Sequence, residues 1–342
     1  MSSPLKMQGK RVLVTGSGTG LGREIAVEFA RQGADVVLHY SSTKEGALTA
    51  RDEIRAMGRR CEMFQADFAK VEEAVSLGDR AIAFLGGIDC LINNSGICLN
   101  KPFGEVKPEW FDLLFNVNVR AQFFLTQRVT KEMIAHGGGA VVNISSIHGL
   151  SGAPEHALYA ATKGAINAYT RALAVEIAHQ GVRVNAIAPG WVTVENYSKA
   201  LPGFNEEDAR KVAAEKVPLG RSGEKSEIAK LAVFLCSEDA GYIIGQTIVA
   251  DGGTTSLMSL ISDFRAKSTA TFGKGYIPLT FLWSGRKDPC SCRKIIENCV
   301  TVRSLSSPPN FVPLTHLIGA GFMHPDSFSS RPDQGLLNRL PG

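Results

Sequence analysis

Ser146, Tyr159 and Lys163 are the residues whose types and spacing could do chemistry. Tyr159 and Lys163 are four apart in a stretch that reads as helix, so they share one face about one turn apart. An ammonium beside a phenol favours the phenolate, which would bring the tyrosine pKa from about 10 toward working pH. The Ser146 hydroxyl could hydrogen-bond the same substrate oxygen. Together the three would form a proton-transfer site for interconverting an alcohol and a carbonyl. A surface tyrosine and lysine on an amphipathic helix show the same spacing, so the rest of the chain has to decide.

The chain has 342 residues, 44% of them hydrophobic, and a net charge of +4. That is enough for one large domain or two small ones. No basic block points to nucleic acid. No apolar run reaches the ~18 residues that suggest a membrane span, and the polar start MSSPLKMQGKR lacks the apolar core of a signal peptide. Cys61, Cys90, Cys98 and Cys236 are scattered through apolar segments without a CxxC pair. They read as reduced thiols of a cytosolic protein. A cytoplasmic location is expected, with no metal, nucleic-acid or membrane partner.

The elements that would position the three residues follow in order. Residues 11–15 form a short β-branched run. Gly16 to Gly22, GSGTGLG, comes directly after it, and an apolar-periodic helix then runs to about Gln32. Strand, glycine turn and helix in that order are the context of a dinucleotide site. Gly16 and Gly20 let the backbone turn and approach the cofactor, Gly22 lets the helix pack closely, and the helix N-terminus offers free N–H groups to a pyrophosphate. A second strand, 35–40, ends at Tyr40, Ser41, Ser42, Thr43 and Lys44, with no carboxylate to bind a ribose 2′-hydroxyl. Hydroxyls and Lys44 suit a 2′-phosphate. Thr19 stands where an arginine would strengthen that preference. NADP is favoured over NAD.

Further α/β units follow. Strand 61–66 ends at Asp67, placed either to meet an adenine amino group or to cap the next helix. Strand 88–92 leads to Asn93-Asn94-Ser95-Gly96, where Asn94 reads mainly as a structural tie. Residues 108–135 read as one long helix with Trp110, Phe111, Leu114, Val117 and Phe124 as core candidates, and with Asn118 as a buried amide needing a partner or a function. Strand 140–145 delivers Ser146, and the helix begun by Tyr159 continues to Ala178. Strand 182–188 ends at Pro189-Gly190, a looser lid-like stretch runs to about Lys216, and a last helix and strand close at Asp251-Gly252-Gly253. Alternating strands and helices imply an α/β fold, a Rossmann-like doubly wound parallel sheet. Its ligands would bind at the C-terminal strand ends, where the glycine turn, Asn94, Ser146 and Pro189-Gly190 converge.

These motifs resemble the short-chain dehydrogenase/reductase family over roughly residues 8–255. The match rests on TGSGTGLG at 15–22, NNSG at 93–96, Asn118, Ser146, YAATK at 159–163 and Pro189-Gly190. The resemblance implies that Tyr159 is the general acid/base, that Ser146 orients the substrate oxygen, and that Lys163 binds the nicotinamide ribose and lowers the tyrosine pKa. It implies that Asn118 holds a water in a proton relay. Carried over position by position, it implies cofactor contacts from Gly16, Ser17, Thr19, Gly20 and Leu21, from Tyr40, Ser41 and Ser42, and from Asp67 and Phe68. Asn94, Ser95 and Gly96, Tyr159 and Lys163, and Pro189, Gly190, Val192 and Thr193 complete that set. Two departures stand out. NNSG replaces NNAG, and Val194 stands where the family often has a threonine, with Thr193 one earlier. The side-chain contact to the nicotinamide carboxamide is then in question, while the backbone of Val192 could still serve.

The resemblance places Cys98, Asn100, His148, Glu155, His156, Trp191, Glu195 and Asn196 around the substrate. His148, His156 and Trp191 are the substrate candidates carried forward. So polar a set suits a hydroxylated substrate such as a sugar or polyol. A ketone or 3-oxoacyl reductase is the nearest alternative. A catalytically silent dinucleotide-binding module is disfavoured by the intact Asn118, Ser146, Tyr159 and Lys163. Family analogy implies a homodimer or homotetramer through the helices beginning near Pro108 and Leu158. One catalytic domain is expected over 1–278. From 279 to 342 periodicity vanishes and prolines and cysteines concentrate. A disordered or partner-binding extension and a non-native read-through both remain open, the second being preferred.

Overall fold

The computed structural model describes residues 5–194 and 205–257. The expected boundary after residue 278, the tail 279–342, and Glu195 and Asn196 lie outside the described residues.

Seven strands are described: β1 Arg11–Val14, β2 Asp35–Tyr40, β3 Cys61–Gln65, β4 Cys90–Asn93, β5 Gly139–Ile144, β6 Val182–Pro189 and β7 Thr247–Ala250. They form one parallel sheet in the order β3-β2-β1-β4-β5-β6-β7. The helices are α1 Gly20–Arg31, α2 Lys44–Ala56, α3 Val71–Leu85, α4 Pro108–Phe115, α5 Ala121–Ala135, α6 Ala157–Ile177, α7 Glu206–Lys216 and α8 Lys225–Cys236. The strand order grows outward in both directions from β1 and β4. The crevice between their C-terminal ends is therefore the switch point where such sheets bind ligands.

Residues along a strand alternate between the two sheet faces, and the apolar runs fill both. Val12, Val14, Val36, Leu38, Ile92 and Val142 pack in one layer with Ile25 and Phe29 of α1, Ile54 of α2 and Ile228 of α8. Leu13, Val37, Leu91, Val141 and Val184 pack in the other with Leu77 of α3, Leu125 and Met133 of α5, and Ile177 of α6. Each fully buried aliphatic side chain contributes about 1.5–3 kcal/mol, so the rim of strand ends stands on a rigid, two-sided core.

The long helix expected over 108–135 is not continuous. Asn116–Arg120 form a π turn between α4 and α5, and the N–H of Ala121 donates to the carbonyl of Asn116, five residues back. Of the expected core residues there, Leu114 is buried, whereas Phe111 and Phe124 are 47% and 38% exposed. Leu113 and Phe123 are exposed as well. The helix carrying Tyr159 starts two residues earlier than expected, at Ala157.

Candidate active site

The glycine turn is assembled by close approach. Gly16 has φ +62, a left-handed conformation that side chains rarely adopt. A Cβ on Gly22 would come within 2.3 Å of both the Gly16 carbonyl oxygen and the Asn94 amide nitrogen. Asn94 is the structural tie expected of it: its Nδ2 donates to the carbonyls of Thr15 and Gly16 at 2.9 and 3.1 Å. The N–H groups of Asn94 and Ser95 both donate to Thr15 Oγ1. The turn after β1 and the turn after β4 are thus one hydrogen-bonded unit.

His39 on β2 completes this unit, and sequence reasoning missed it. Its Nδ1 accepts the Gly16 N–H at 3.0 Å. That leaves the proton on Nε2, which lies 3.0 Å from the Ala66 carbonyl and donates to it. Ser95 Oγ lies 3.2 Å from Nδ1, and the ring stacks on Phe68 at 4.3 Å. Burial holds His39 at about 4, well below the ordinary imidazole value, so it is neutral. The signal in the sequence was a histidine inside the apolar strand DVVLHY.

Several expected cofactor residues turn their side chains inward. Ser17 Oγ donates to the Val14 carbonyl and accepts the His39 N–H. Phe68 is spent on the stack with His39. Asp67 accepts the Ala69 N–H at 3.0 Å in a local turn. Tyr40 is buried, whereas Ser41, Ser42 and Lys44 are exposed at the end of β2. Thr19 is the N-cap residue of α1, without a side-chain cap, and no acid stands in the first turn. The first N–H groups of that helix, at Gly20, Leu21 and Gly22, have no acceptor within it and suit an anion.

β6 brings in the far wall. Val192 pairs in parallel with Gly223, and that bridge is made by the Trp191 carbonyl and the Thr193 N–H. Val192's own N–H and C=O therefore point away from it. Thr193 Oγ1 is paired with Ser222 Oγ at 2.9 Å. Val194 lies 3.8 Å from where a Cβ on Gly20 would stand, so this segment overlies the glycine turn. Pro189 is buried, and Gly190 abuts Asp251, where a Cβ would come within 2.7 Å of its Cα.

The catalytic candidates meet on this rim. Lys163 is buried in α6, with Nζ donating to the Ile144 carbonyl at 2.9 Å. The same nitrogen lies 5.6 Å from the centre of the Tyr159 ring. Burial pushes the lysine down to about 8, opposed by Cys98. Ser146 Oγ accepts the His148 N–H at 3.2 Å, which leaves its own proton available to a substrate oxygen. The His148 and His156 rings lie 6.0 and 6.5 Å from the Tyr159 ring. Trp191 is half-buried, while Cys98, Asn100 and Glu155 are exposed.

Asn118 is fully buried in the π turn and has its partners. Oδ1 accepts the Ile97 N–H, and Nδ2 donates to the Ile97 carbonyl, both at 2.8 Å. Nδ2 also reaches Thr162 Oγ1 at 3.2 Å, and that hydroxyl donates to the Tyr159 carbonyl. Asn118 thereby ties the loop after Gly96 to the turn of α6 that carries Tyr159. Below it, Asn93 donates to Thr126 and Asn143, and Asn143 donates to Thr170, a polar seam fastening β4 and β5 to α5 and α6.

A family model described as enoyl-(acyl carrier protein) reductase matches residues 16–255. A hydroxynaphthalene reductase-like protein of Metarhizium guizhouense is 38% identical over 263 residues, covering 74% of this chain and 98% of the relative. A candidate NAD(P)-dependent gluconate 5-dehydrogenase of Beutenbergia cavernae, solved with NADP bound, is 36% identical with a TM-score of 0.69, covering 75% of this chain and all of that one. A 7α-hydroxysteroid dehydrogenase solved with NADH and 7-oxo glycochenodeoxycholic acid is 32% identical with a TM-score of 0.68, covering 74% of this chain and 98% of that one.

Proposed function

The chain belongs to the short-chain dehydrogenase/reductase family, and we propose that within it the protein interconverts an alcohol and a carbonyl on a hydroxylated small molecule, a sugar or polyol, using NADP. The observation that carries this reading is the Tyr159–Lys163 pair: a phenol with a buried ammonium held beside its ring by the Ile144 carbonyl.

The glycine turn fits a dinucleotide. Gly22 leaves no room for a side chain, the N-terminus of α1 faces the same crevice, and the peptide of Val192 offers one donor and one acceptor across it. When bound, the nicotinamide exchanges a hydride with the substrate carbon. Tyr159 gives a proton to the carbonyl oxygen in reduction and takes it from the hydroxyl in oxidation. Ser146 donates a hydrogen bond to the same oxygen. Lys163 supplies positive charge that favours the phenolate. With both side-chain atoms of Asn118 committed to Ile97, its part in a proton relay falls to its main-chain carbonyl in the widened turn. Ser41, Ser42 and Lys44 are the groups that would meet a 2′-phosphate. Among the solved relatives, one holds NADP and another NADH, so cofactor choice is read from this chain's own residues.

A second reading, reduction of a ring ketone, is favoured by the hydroxynaphthalene reductase-like relative. Phe111, Leu113, Phe123 and Phe124 on α4 and α5, and Val175 on α6, are exposed apolar side chains. They suit self-association into a homodimer or homotetramer. The free thiols of Cys61, Cys90, Cys98 and Cys236 suit a reducing cytoplasm. Residues 1–278 then act as the catalytic unit, with 279–342 outside it.

The test is turnover of sugars, polyols and ring ketones, followed by absorbance of the reduced nicotinamide with each cofactor separately. NADP-linked turnover of polyols, abolished in Tyr159→Phe, is the expected result. Cofactor binding without turnover on any substrate would refute the enzymatic reading.

A further inference from the structure

His148 and His156 stack beside the acid/base residue. Their ring centres are 4.2 Å apart and their planes 15° from parallel. Tyr159 is nearly equidistant from the two, at 6.0 and 6.5 Å. A ring equidistant from two stacked neighbours lies beside the stack, so both imidazoles present an edge toward it.

The surrounding backbone holds this arrangement. The His148 N–H donates to Ser146 Oγ, which fixes its distance from the substrate oxygen. His156 Nδ1 is 2.7 Å from the Pro154 carbonyl and donates to it, so in the neutral ring Nε2 is left as an acceptor. Glu155, immediately before His156, has φ +63. It is the one non-glycine residue with positive φ among those described, and its carbonyl is tied to the Lys101 N–H at 3.0 Å. Backbone held in that region costs of order 1–3 kcal/mol and persists where the surroundings impose it. Here it turns His156 against His148.

We propose that the His148–His156 stack is the specificity element of this site, selecting ketones and alcohols that carry a second hydroxyl on the neighbouring carbon. The proposal rests on the oxidoreductase reading above and names its substrate class. A substrate oxygen bonded to Tyr159 and Ser146 places the substituent of the next carbon along the imidazole edges. The ring nitrogens of His148 take no hydrogen bond from the described residues, and half-buried groups of that kind favour a substrate that pairs them. Burial, and then His156, push the His148 pKa below its usual range.

The test uses substrate pairs that differ only in that hydroxyl: acetoin against butanone, and 2-hydroxycyclohexanone against cyclohexanone. kcat and KM are measured for the wild type, His148→Phe and His148→Gln, with cofactor affinity and thermal midpoint as controls on folding. The wild type should prefer the hydroxylated member by about tenfold or more in kcat/KM. His148→Phe keeps a ring in the stack and removes the nitrogens. It should lose most of that preference through KM, and His148→Gln should keep more of it than His148→Phe. Equal turnover of both members by the wild type, or a preference that survives in His148→Phe, overturns the inference and leaves the oxidoreductase reading standing. No turnover of any member by wild-type protein that binds cofactor removes that reading and this inference with it.

Discussion

His39 sets up a stability test with a defined pH window. Its imidazole is neutral in the folded protein, with a pKa lowered to about 4 from the ordinary 6.5, chiefly by burial. Between those values the unfolded chain binds more protons than the folded one, so stability rises with pH. The contribution is fully present above pH 6.5 and is lost as pH falls through 4. The difference of about 2.5 units corresponds to roughly 3 kcal/mol. In His39→Phe the stack on Phe68 can persist, but the Gly16 N–H and the Ala66 carbonyl lose their partner. Each buried group left unpaired costs about 1–3 kcal/mol. The variant should therefore be less stable than wild type by roughly 2–6 kcal/mol at pH 7, and that gap should narrow by roughly 3 kcal/mol by pH 4. Urea titrations of both proteins across this range measure it. Because the Gly16 N–H belongs to the dinucleotide turn, the variant should also bind a nicotinamide dinucleotide more weakly at pH 7, read by quenching of protein fluorescence. A stability gap that stays constant from pH 7 to pH 4 would refute the claim that this imidazole is the neutral acceptor holding Gly16.

Three further outcomes are expected. Tyr159→Phe should lower kcat by about 10²–10⁴, the usual worth of a general acid/base, while cofactor affinity measured by fluorescence stays close to wild type. Gly22→Ala should weaken cofactor binding and lower the thermal midpoint together, since its Cβ would meet the Gly16 carbonyl at 2.3 Å; an alanine variant with wild-type affinity would show that the turn can open without loss. Lys163, at about 8 when folded against 10.5 as an ordinary lysine, carries a charging penalty that is present below pH 8 and fades as pH rises to 10.5. Cofactor-free wild type should gain roughly 3 kcal/mol relative to Lys163→Met across that window, measured by denaturant midpoints at each pH.

Features with a strong local signature could be read from the chain before its structure. The β-branched run at 11–15, followed directly by the glycine turn, told the strand, and the helix after it told the crossover; the structure then sends Val12 and Val14 to one core and Leu13 to the other. Tyr159 and Lys163 were legible because helix geometry alone places residues four apart on one face. His39 was not, because its function depends on a contact with Gly16, which lies on another strand end and 23 residues away in sequence. Ser17 and Phe68 show the reverse: their positions match cofactor residues, but a buried hydroxyl bonded to Val14 and a ring stacked on His39 hold the turn rather than face the crevice.

The π turn shows why apolar spacing misread 108–135. A change in hydrogen-bonding span from four residues to five alters no residue type, so propensity and periodicity are blind to it. Its cause is tertiary. Asn118 holds both the N–H and the C=O of Ile97, on the loop that follows β4, and its amide also reaches Thr162 under Tyr159. A buried amide satisfied across two other elements stabilises a local deformation that an isolated helix would not keep. On either side of the turn Leu114 is buried, while Phe111, Phe123 and Phe124 are exposed. The helix interruption, the loop at Ile97 and the turn of α6 under Tyr159 are therefore joined at Asn118. A variant such as Asn118→Leu should lower the thermal midpoint and kcat together, because it leaves the Ile97 N–H and C=O unpaired beside the turn that carries Tyr159.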